Sequence, residues 1–203
     1  MAPPALALPA LTLTIFGSAF LLFLLQPMFS RMVLPLMGGG AAVWNTCVLF
    51  FQLALLAGYL YAHVATRRLA RRWQMGLHLA LLVVSLALLP IRLRLGAPPA
   101  EAEPVGWLLL LLTLSISAPF FLLSTTSPLL QRWLASSRHP AAADPYFLYA
   151  ASNAGSLLAL LAYPVVVEPW LTLAEQRTWW SIGYAGFVGL VGVSALAVAA
   201  GAA

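Results

Sequence analysis

Charge is what this sequence has least of. Only 7% of its 203 residues are Asp, Glu, Lys or Arg, and 63% are hydrophobic, a balance that excludes an ordinary water-soluble domain of this size. The five acidic residues are outnumbered by ten basic ones, and every basic residue is arginine. Because arginines beside apolar runs set membrane orientation, the net charge of +5 does not indicate a nucleic-acid partner.

Cysteine and clusters of ligating side chains are also scarce. The single cysteine, Cys47, lies inside an apolar run, so we expect a small buried packing residue and no intrachain disulfide. The His, Cys, Asp and Glu residues do not recur at metal-ligand spacing, and no Ser, His and Asp set has the pattern of a catalytic triad. The sequence therefore predicts a protein that is not an enzyme and that has neither a metal site nor a cofactor.

Long apolar runs dominate what is present. About 20 apolar residues cross roughly 30 Å of hydrocarbon as a helix. Six such runs predict an all-α integral membrane protein, a bundle of six transmembrane helices that forms a single domain over residues 1–203. The third run is the shortest because Pro90 interrupts it. The predicted spans are 10–36, 43–65, 74–90, 107–133, 146–167 and 178–200.

Arginines orient the bundle. Four of them lie in one short connection, TRRLARRWQ (66–74), and cytoplasmic loops collect basic residues. Both termini and the connection with Arg132 and Arg138 are then cytoplasmic, and the loops with Glu103 and Glu175 lie outside. Aromatic residues, which favour membrane interfaces, fall at matching ends: Trp44, Trp107, Trp170, Trp179 and Trp180 outside, and Tyr61, Trp73, Trp133 and Tyr146 inside.

Three stretches resemble a known family. They are QPMFSRMVLPLMGGGAAVWNTCVLFFQLALLAGYLYAHV (26–64), STTSPLLQRWL (124–134) and DPYFLYAASNAGSLLALLAYPVVVEPWL (144–171). They closely resemble the membrane-embedded domain of bacterial fused spermidine-synthase-like proteins. The resemblance implies a helical domain in the bacterial cytoplasmic (inner) membrane, followed in that family by a soluble aminopropyltransferase-like domain.

The features of that soluble domain are missing here. An aminopropyltransferase-like domain needs a glycine-rich turn after a strand and several carboxylates for ribose and polyamine. The glycine run Gly38–Gly40 instead predicts a tight turn between the first two spans. The chain is therefore expected not to carry the family's enzymatic activity.

Two ionisable residues fall within or beside the spans. Arg31 lies a few residues before the outer end of the first span, and Glu168 lies at the outer end of the fifth. Counting from these ends puts them at a similar depth. Either the two side chains pair, or Arg31 extends to the interface on its own.

Three amides lie in the first two spans. Gln26 and Gln52 fall near mid-membrane, and Asn45 precedes Gln52 by seven residues, which puts both on one helix face. They are predicted to hold the first two helices together by hydrogen bonds. The alternative is that they line a substrate path.

Two histidines lie near the inner ends of adjacent spans. His63 and His78 flank the arginine connection at similar depth. Such a pair could ligate a haem or another pigment. The simpler interpretation is that each imidazole bonds a carbonyl or lies at the wet interface.

The fourth span contains four successive hydroxyl residues bracketed by Pro119 and Pro128. Each proline frees a carbonyl one turn earlier, which nearby hydroxyls can satisfy. Broken helices of this kind line binding sites in transporters, and they also form ordinary kinks. The four residues are Ser124, Thr125, Thr126 and Ser127.

Small residues suggest close helix contacts in the last two spans. Asp144 as N-cap and Pro145 at the first helical position predict the start of the fifth helix. Asn153 and Gly155 lie in its SNAGS segment (152–156), which is interpreted as a packing seam with hydrogen bonds across it. The opposite helix belongs either to this chain or to another protein. Similar small residues on the sixth helix are Gly183, Gly186, Gly189 and Gly192.

Two classes of function are compatible with these features. The first is a non-enzymatic accessory or scaffold subunit of a larger membrane complex, such as an energy-transducing or photosynthetic one, which binds a protein partner through small-residue helix faces. The second is a small transporter or ligand-binding membrane domain for an amine-like molecule. The small-residue stripes and the short connecting loops favour the first class, and the broken fourth helix and the family resemblance support the second.

Overall fold

The fold is a helical bundle. The computed structural model describes residues 7–137 and 140–200, and the regular structure in these ranges is helical throughout. Five helices in the described part of the chain are long and apolar enough to cross a membrane. The predicted class, an α-helical membrane protein, is confirmed to that extent. The five candidate spans are Leu8–Met37, Ala41–Arg68, Pro104–Ala135, Phe147–Trp170 and Leu173–Ala200.

The described helices follow the predicted spans closely, and most run a few residues longer. Helix α1 covers Ala7–Met37, α2 Ala41–Arg68, α3 Arg71–Ser85, α4 Pro104–Ala135, α5 Phe147–Ala162, α6 Glu168–Trp170 and α7 Leu173–Ala200. Between α1 and α2, Gly38 has φ +75°, a conformation that glycine adopts without strain. This turn marks one end of the bundle, called here the glycine-turn end. The connection 68–71 marks the other, the arginine end.

The third predicted span is only partly α-helical. α3 ends at Ser85, a 3₁₀ turn continues to Leu88, and an extended segment follows. The Arg71 guanidinium donates to the carbonyl of Ser136 at 3.2 Å, and the Arg94 amide donates to Ser115 Oγ at 3.1 Å. Those two acceptors are about 30 Å apart along α4 at 1.5 Å per residue. The segment 71–94 therefore runs antiparallel to α4 over a length close to the hydrocarbon thickness.

α1 is the central helix. It packs against α5, α7 and α4, whereas α2 packs against α4 and makes few contacts with α1. The hydroxyl of Thr14 lies 2.9 Å from that of Ser194 near the arginine end, and further along α1 the carbonyl of Leu21 accepts from the Trp180 indole, so α1 and α7 are antiparallel. The Phe51 ring packs on Phe120, and further along both helices Gly58 meets Ser124, so α2 and α4 run parallel.

The candidate span Phe147–Trp170, which corresponds to the fifth predicted span and is called here the fifth crossing, begins later than predicted. Asp144 Oδ1 accepts from the amide of Tyr146 at 3.2 Å, but Pro145 and Tyr146 form a turn, and α5 begins only at Phe147. The Asp144 carboxylate thus caps a turn before the helix and not the helix itself. At its other end α5 widens into a π-helical turn, Tyr163–Val167, before α6. Arg138 of the preceding connection lies outside the described residues.

Two tryptophans predicted at the interfaces are instead buried. Trp133 is 1% exposed and donates its indole N–H to Gln74 Oε1 at 3.0 Å. Trp180 is 4% exposed and donates to the carbonyl of Leu21 at 2.8 Å. The interface prediction is wrong for this pair because each indole N–H finds a partner inside the bundle. The exposed tryptophans include Trp44, Trp73, Trp170 and Trp179.

Candidate functional site

An ion pair lies near the glycine-turn end. Arg31 Nη1 is 3.3 Å from Glu168 Oε1, and the two side chains are 40% and 41% exposed. Of the two arrangements that the sequence allowed for Arg31, the structure shows the pairing. The contact joins α1 to the end of the fifth crossing.

The π-helical turn forms the wall of this site. Pro164 lies in the turn and has no N–H to donate, and π-helical insertions are frequent at functional sites. Tyr163, at the start of the turn, is 5% exposed and donates its hydroxyl to Gln176 Oε1 at 3.2 Å. Gln176 donates in turn to the carbonyl of Leu171 at 2.8 Å. Beside the Arg31–Glu168 pair, these bonds form a polar layer that links the fifth crossing to α7.

Two cavities share Tyr163 as a lining residue. The first has a volume of about 360 Å³ and lies over the ion pair; we call it the polar cavity. The second has about 570 Å³, lies between α1 and α7, and is lined mostly by apolar side chains; we call it the apolar cleft. Tyr163 lines both. The polar cavity is lined by residues that include Ser30, Arg31, Trp44, Tyr163, Pro164 and Glu168.

The glycines of α7 do not form the predicted tight contact. A Cβ added at Gly183 would lie 3.2 Å from Leu21 Cδ2, but one added at Gly186 or Gly189 would meet no heavy atom within 4 Å. Gly186 lines the apolar cleft. The prediction is wrong for Gly186, which borders the open space between α7 and α1, and for Gly189, which is exposed.

The seam on α5 is closed by this chain itself. A Cβ at Gly155 would collide with the backbone carbonyl of Phe16 and lie 3.3 Å from Ala19 Cβ. The polar residues beside Gly155 do not form the predicted hydrogen bonds across the seam. Ser156 donates to the carbonyl of Asn153 in its own helix at 3.0 Å, and the Asn153 side chain is exposed. These polar groups are turned along or away from α1.

The three amides do not hold α1 and α2 together. Asn45 and Gln52 lie on the exposed side of α2, and Gln26 is half-buried on α1. The prediction is wrong because α2 turns its opposite face, with Gly58, towards α4. A Cβ at Gly58 would collide with Ser124 Oγ. Proximity in sequence did not make α1 and α2 close packing partners.

The two histidines lie in different surroundings. His78 is fully buried, its Nε2 is 3.1 Å from Thr126 Oγ1, and its ring packs edge-on against Trp133. Its Nδ1 is buried without a hydrogen-bond partner among the described residues. His63 is exposed on α2. The imidazole of His78 therefore serves the contact between α3 and α4, and His63 does not share that environment.

The hydroxyl run of α4 bonds mainly to its own helix. Ser124 donates to the carbonyl of Phe121, and both Thr125 and Thr126 donate to that of Leu122, over 2.7–2.9 Å. Ser127 accepts from Gln131 Nε2 at 3.0 Å. None of these bonds reaches the carbonyls that Pro119 and Pro128 free. A cavity of about 50 Å³ lies beside the run and is lined by Ser18, Ser124, Ser127 and Ser152, among others.

Several polar contacts between helices were not anticipated. Gln74 to Trp133, Ser85 to Tyr184 at 2.7 Å, and Thr14 to Ser194 at 2.9 Å all join separate helices. In the sequence, these contacts are indicated only by polar residues inside apolar runs, which predict that a polar partner exists but do not identify it. Two of these contacts attach the short helix α3.

Neither metal ligation nor comparison with known proteins gives further information about this site. Within residues 7–137 and 140–200, no group of three or more His, Cys, Asp or Glu residues is placed to hold a metal ion. The chain matches no protein family, and it is similar to no curated protein and to no solved structure.

Proposed function

We propose that the chain crosses the cytoplasmic membrane of a bacterium six times, with both termini in the cytoplasm. The parallel course of α2 and α4 supports this topology, because the chain between two parallel crossings must return through the membrane. Segment 71–94 has the length for that return. The arginines at the 68–71 connection favour a cytoplasmic location for the arginine end.

For the function, we propose a non-enzymatic accessory subunit that docks on another membrane protein through the exposed face of α2. The exposed amide of Gln52 carries this proposal. Gln52 lies about 16 Å from the start of a helix about 42 Å long, well inside the hydrocarbon. An amide exposed to lipid at that depth lacks hydrogen-bond partners, and this is unfavourable.

The same face of α2 carries a second amide. Asn45 precedes Gln52 by two helical turns, so a single helix laid along α2 could bond both side chains. We therefore propose that the partner is a transmembrane helix with its own polar side chains. The Gly155 seam, for which the sequence left open whether this chain or another protein supplies the opposite helix, is occupied by α1.

Co-purification tests the subunit proposal. The protein is extracted with a mild detergent, and the proteins that accompany it are identified and quantified by mass spectrometry. We expect one partner at constant stoichiometry, and its loss when Gln52→Leu and Asn45→Leu are combined. Asn153→Leu is the matched control because it removes an exposed amide from another helix. Recovery of the wild-type chain alone, or equal loss in the control, would count against the proposal.

A ligand-binding or transport domain is the second candidate, and the polar cavity and apolar cleft favour it. The resemblance to fused spermidine-synthase-like proteins points the same way. For an amine substrate, however, the polar cavity offers no net negative charge, because the Arg31 guanidinium offsets the Glu168 carboxylate. Uptake of a radiolabelled amine into liposomes containing the purified protein alone would favour transport over the subunit function.

A further inference from the structure

The ion pair leaves most of its bonding capacity unused. A guanidinium has five N–H donors and a carboxylate has about four acceptor positions. Arg31 and Glu168 share one contact at 3.3 Å, and each side chain is about two-fifths exposed towards the polar cavity. Both an anion and a cation could therefore add to the pair without breaking it.

The pair lies at the depth where lipid headgroups meet hydrocarbon. Arg31 precedes the end of α1 by six residues, about 9 Å. Helix α2, which begins at the same turn, is about 42 Å long, so it extends about 6 Å beyond each side of a 30 Å hydrocarbon layer. The long Arg31 side chain can thus reach the level of lipid phosphates.

The two cavities together have an amphipathic shape. The polar cavity holds the charges, and Tyr163 lines both this cavity and the larger apolar cleft. Sites of a few hundred Å³ with a few polar groups at one end are typical of small amphipathic ligands. A molecule with a charged head and an acyl chain matches this distribution.

The charges of the site indicate which ligand headgroup fits it. Because the site carries one positive and one negative side chain, a zwitterion fits it better than an ion of one sign. A phosphate would add to Arg31 by charge-assisted bonds. A primary ammonium would add to Glu168, and the exposed ring of Trp44 lines the same cavity and offers a cation–π contact.

We propose that this site binds a membrane phospholipid with a phosphoethanolamine headgroup. The phosphate bonds Arg31, the ammonium bonds Glu168, and an acyl chain occupies the apolar cleft. The site includes Trp44 of α2 but neither Asn45 nor Gln52, so the inference does not require the subunit proposal and either can fail without the other.

Lipid retention measured by native mass spectrometry tests the assignment. The purified protein is offered equal amounts of phosphatidylethanolamine, phosphatidylcholine and phosphatidylglycerol with identical acyl chains. We expect a preference for phosphatidylethanolamine of roughly tenfold, as one charge-assisted hydrogen bond supports. Equal retention of the three lipids by the wild-type protein would overturn the proposal.

Variants separate the two charges. Glu168→Gln should lower retention of phosphatidylethanolamine to the level of phosphatidylcholine, whereas Arg31→Gln should weaken both. Trp44→Leu, which leaves the ion pair in place, should weaken retention of both phosphatidylethanolamine and phosphatidylcholine without affecting folding, because both headgroups carry a cation. Glu101→Gln, an exposed change outside the site, is the matched control and should have no effect. An unchanged preference for phosphatidylethanolamine in Glu168→Gln would overturn the assignment.

The acyl chain is tested separately. Gly186→Leu fills the apolar cleft from a position with free space, so it should reduce lipid retention severalfold while the fold is kept. Soluble glycerophosphoethanolamine should compete poorly with the lipid. If it binds as well as the lipid and Gly186→Leu has no effect, the ligand is a soluble zwitterion and the lipid assignment is wrong.

Discussion

Gly155 of α5 lies directly against the backbone carbonyl of Phe16 in α1, with no room for a Cβ between them. This contact joins the central helix to the fifth crossing and fixes the distance between their backbones. Both helices lead from it to the glycine-turn end, where Arg31 and Glu168 meet. The close approach thus helps to position the ion pair.

Substituting Gly155 tests this contact. Gly155→Ala should lower the free energy of unfolding by about 1–3 kcal/mol, because the added methyl must push the two backbones apart. Gly186→Ala is the control, since a Cβ there meets no heavy atom within 4 Å. Unfolding in a denaturing detergent, followed by circular dichroism, measures both. Equal stability of the two variants would contradict the close contact.

The Arg31–Glu168 pair should be energetically coupled. A double-mutant cycle with Arg31→Gln and Glu168→Gln is expected to give a coupling free energy of about 0.5–1 kcal/mol, because both side chains are partly exposed and solvent screens them. Strictly additive losses in the unfolding free energy would mean that the contact contributes nothing. A cycle that pairs Arg31→Gln with Glu101→Gln serves as the uncoupled reference.

The attachment of α3 depends on buried polar pairs. Gln74→Leu removes the acceptor of the Trp133 indole N–H and should cost about 1–2 kcal/mol of unfolding free energy. Adding Trp133→Phe removes the indole N–H that Gln74→Leu leaves unpaired. The double variant should therefore lose less unfolding free energy than the sum of the losses in the two single variants. Gln52→Leu, at an exposed position of α2, controls for loss of an amide alone. Additive losses would show that the indole and amide do not interact.

Features that depend on residues close in sequence could be predicted, and features that depend on contacts between residues far apart in sequence could not. Apolar runs set the long helices, and counting residues along straight helices placed Arg31 and Glu168 at one depth. The rotation of α2 is decided by Gly58 and Ser124, which are far apart in sequence, so Asn45 and Gln52 were assigned to the wrong face. That prediction rested on the assumption that helices adjacent in the sequence also pack against each other in the bundle.

Local irregularities were also beyond a pattern of hydrophobic residues. Pro164 and Pro169 indicate a disturbed helix, but not that the disturbance is a π-helical turn that places Tyr163 beside Arg31. The cavity sizes depend on where α7 lies relative to α1, and glycines such as Gly186 are equally compatible with close contact and with open space.

Cysteine labelling tests the six-crossing topology. Single cysteines replace Gly39, Ala70 and Pro99, and Cys47 is buried and should stay unreactive. A membrane-impermeant maleimide applied to whole spheroplasts should label positions 39 and 99, and label position 70 only in inverted vesicles. Labelling of positions 70 and 99 from the same side would mean that segment 71–94 does not cross.

The most direct test of the proposed docking face is photo-crosslinking in the native membrane from position 52. With a photoreactive phenylalanine analogue in place of Gln52, we expect one discrete protein adduct whose mass identifies the partner. The same analogue at Leu161, an exposed position on α5, should give no such adduct. An absence of protein adducts at position 52, or the same adducts at both positions, would contradict docking through α2.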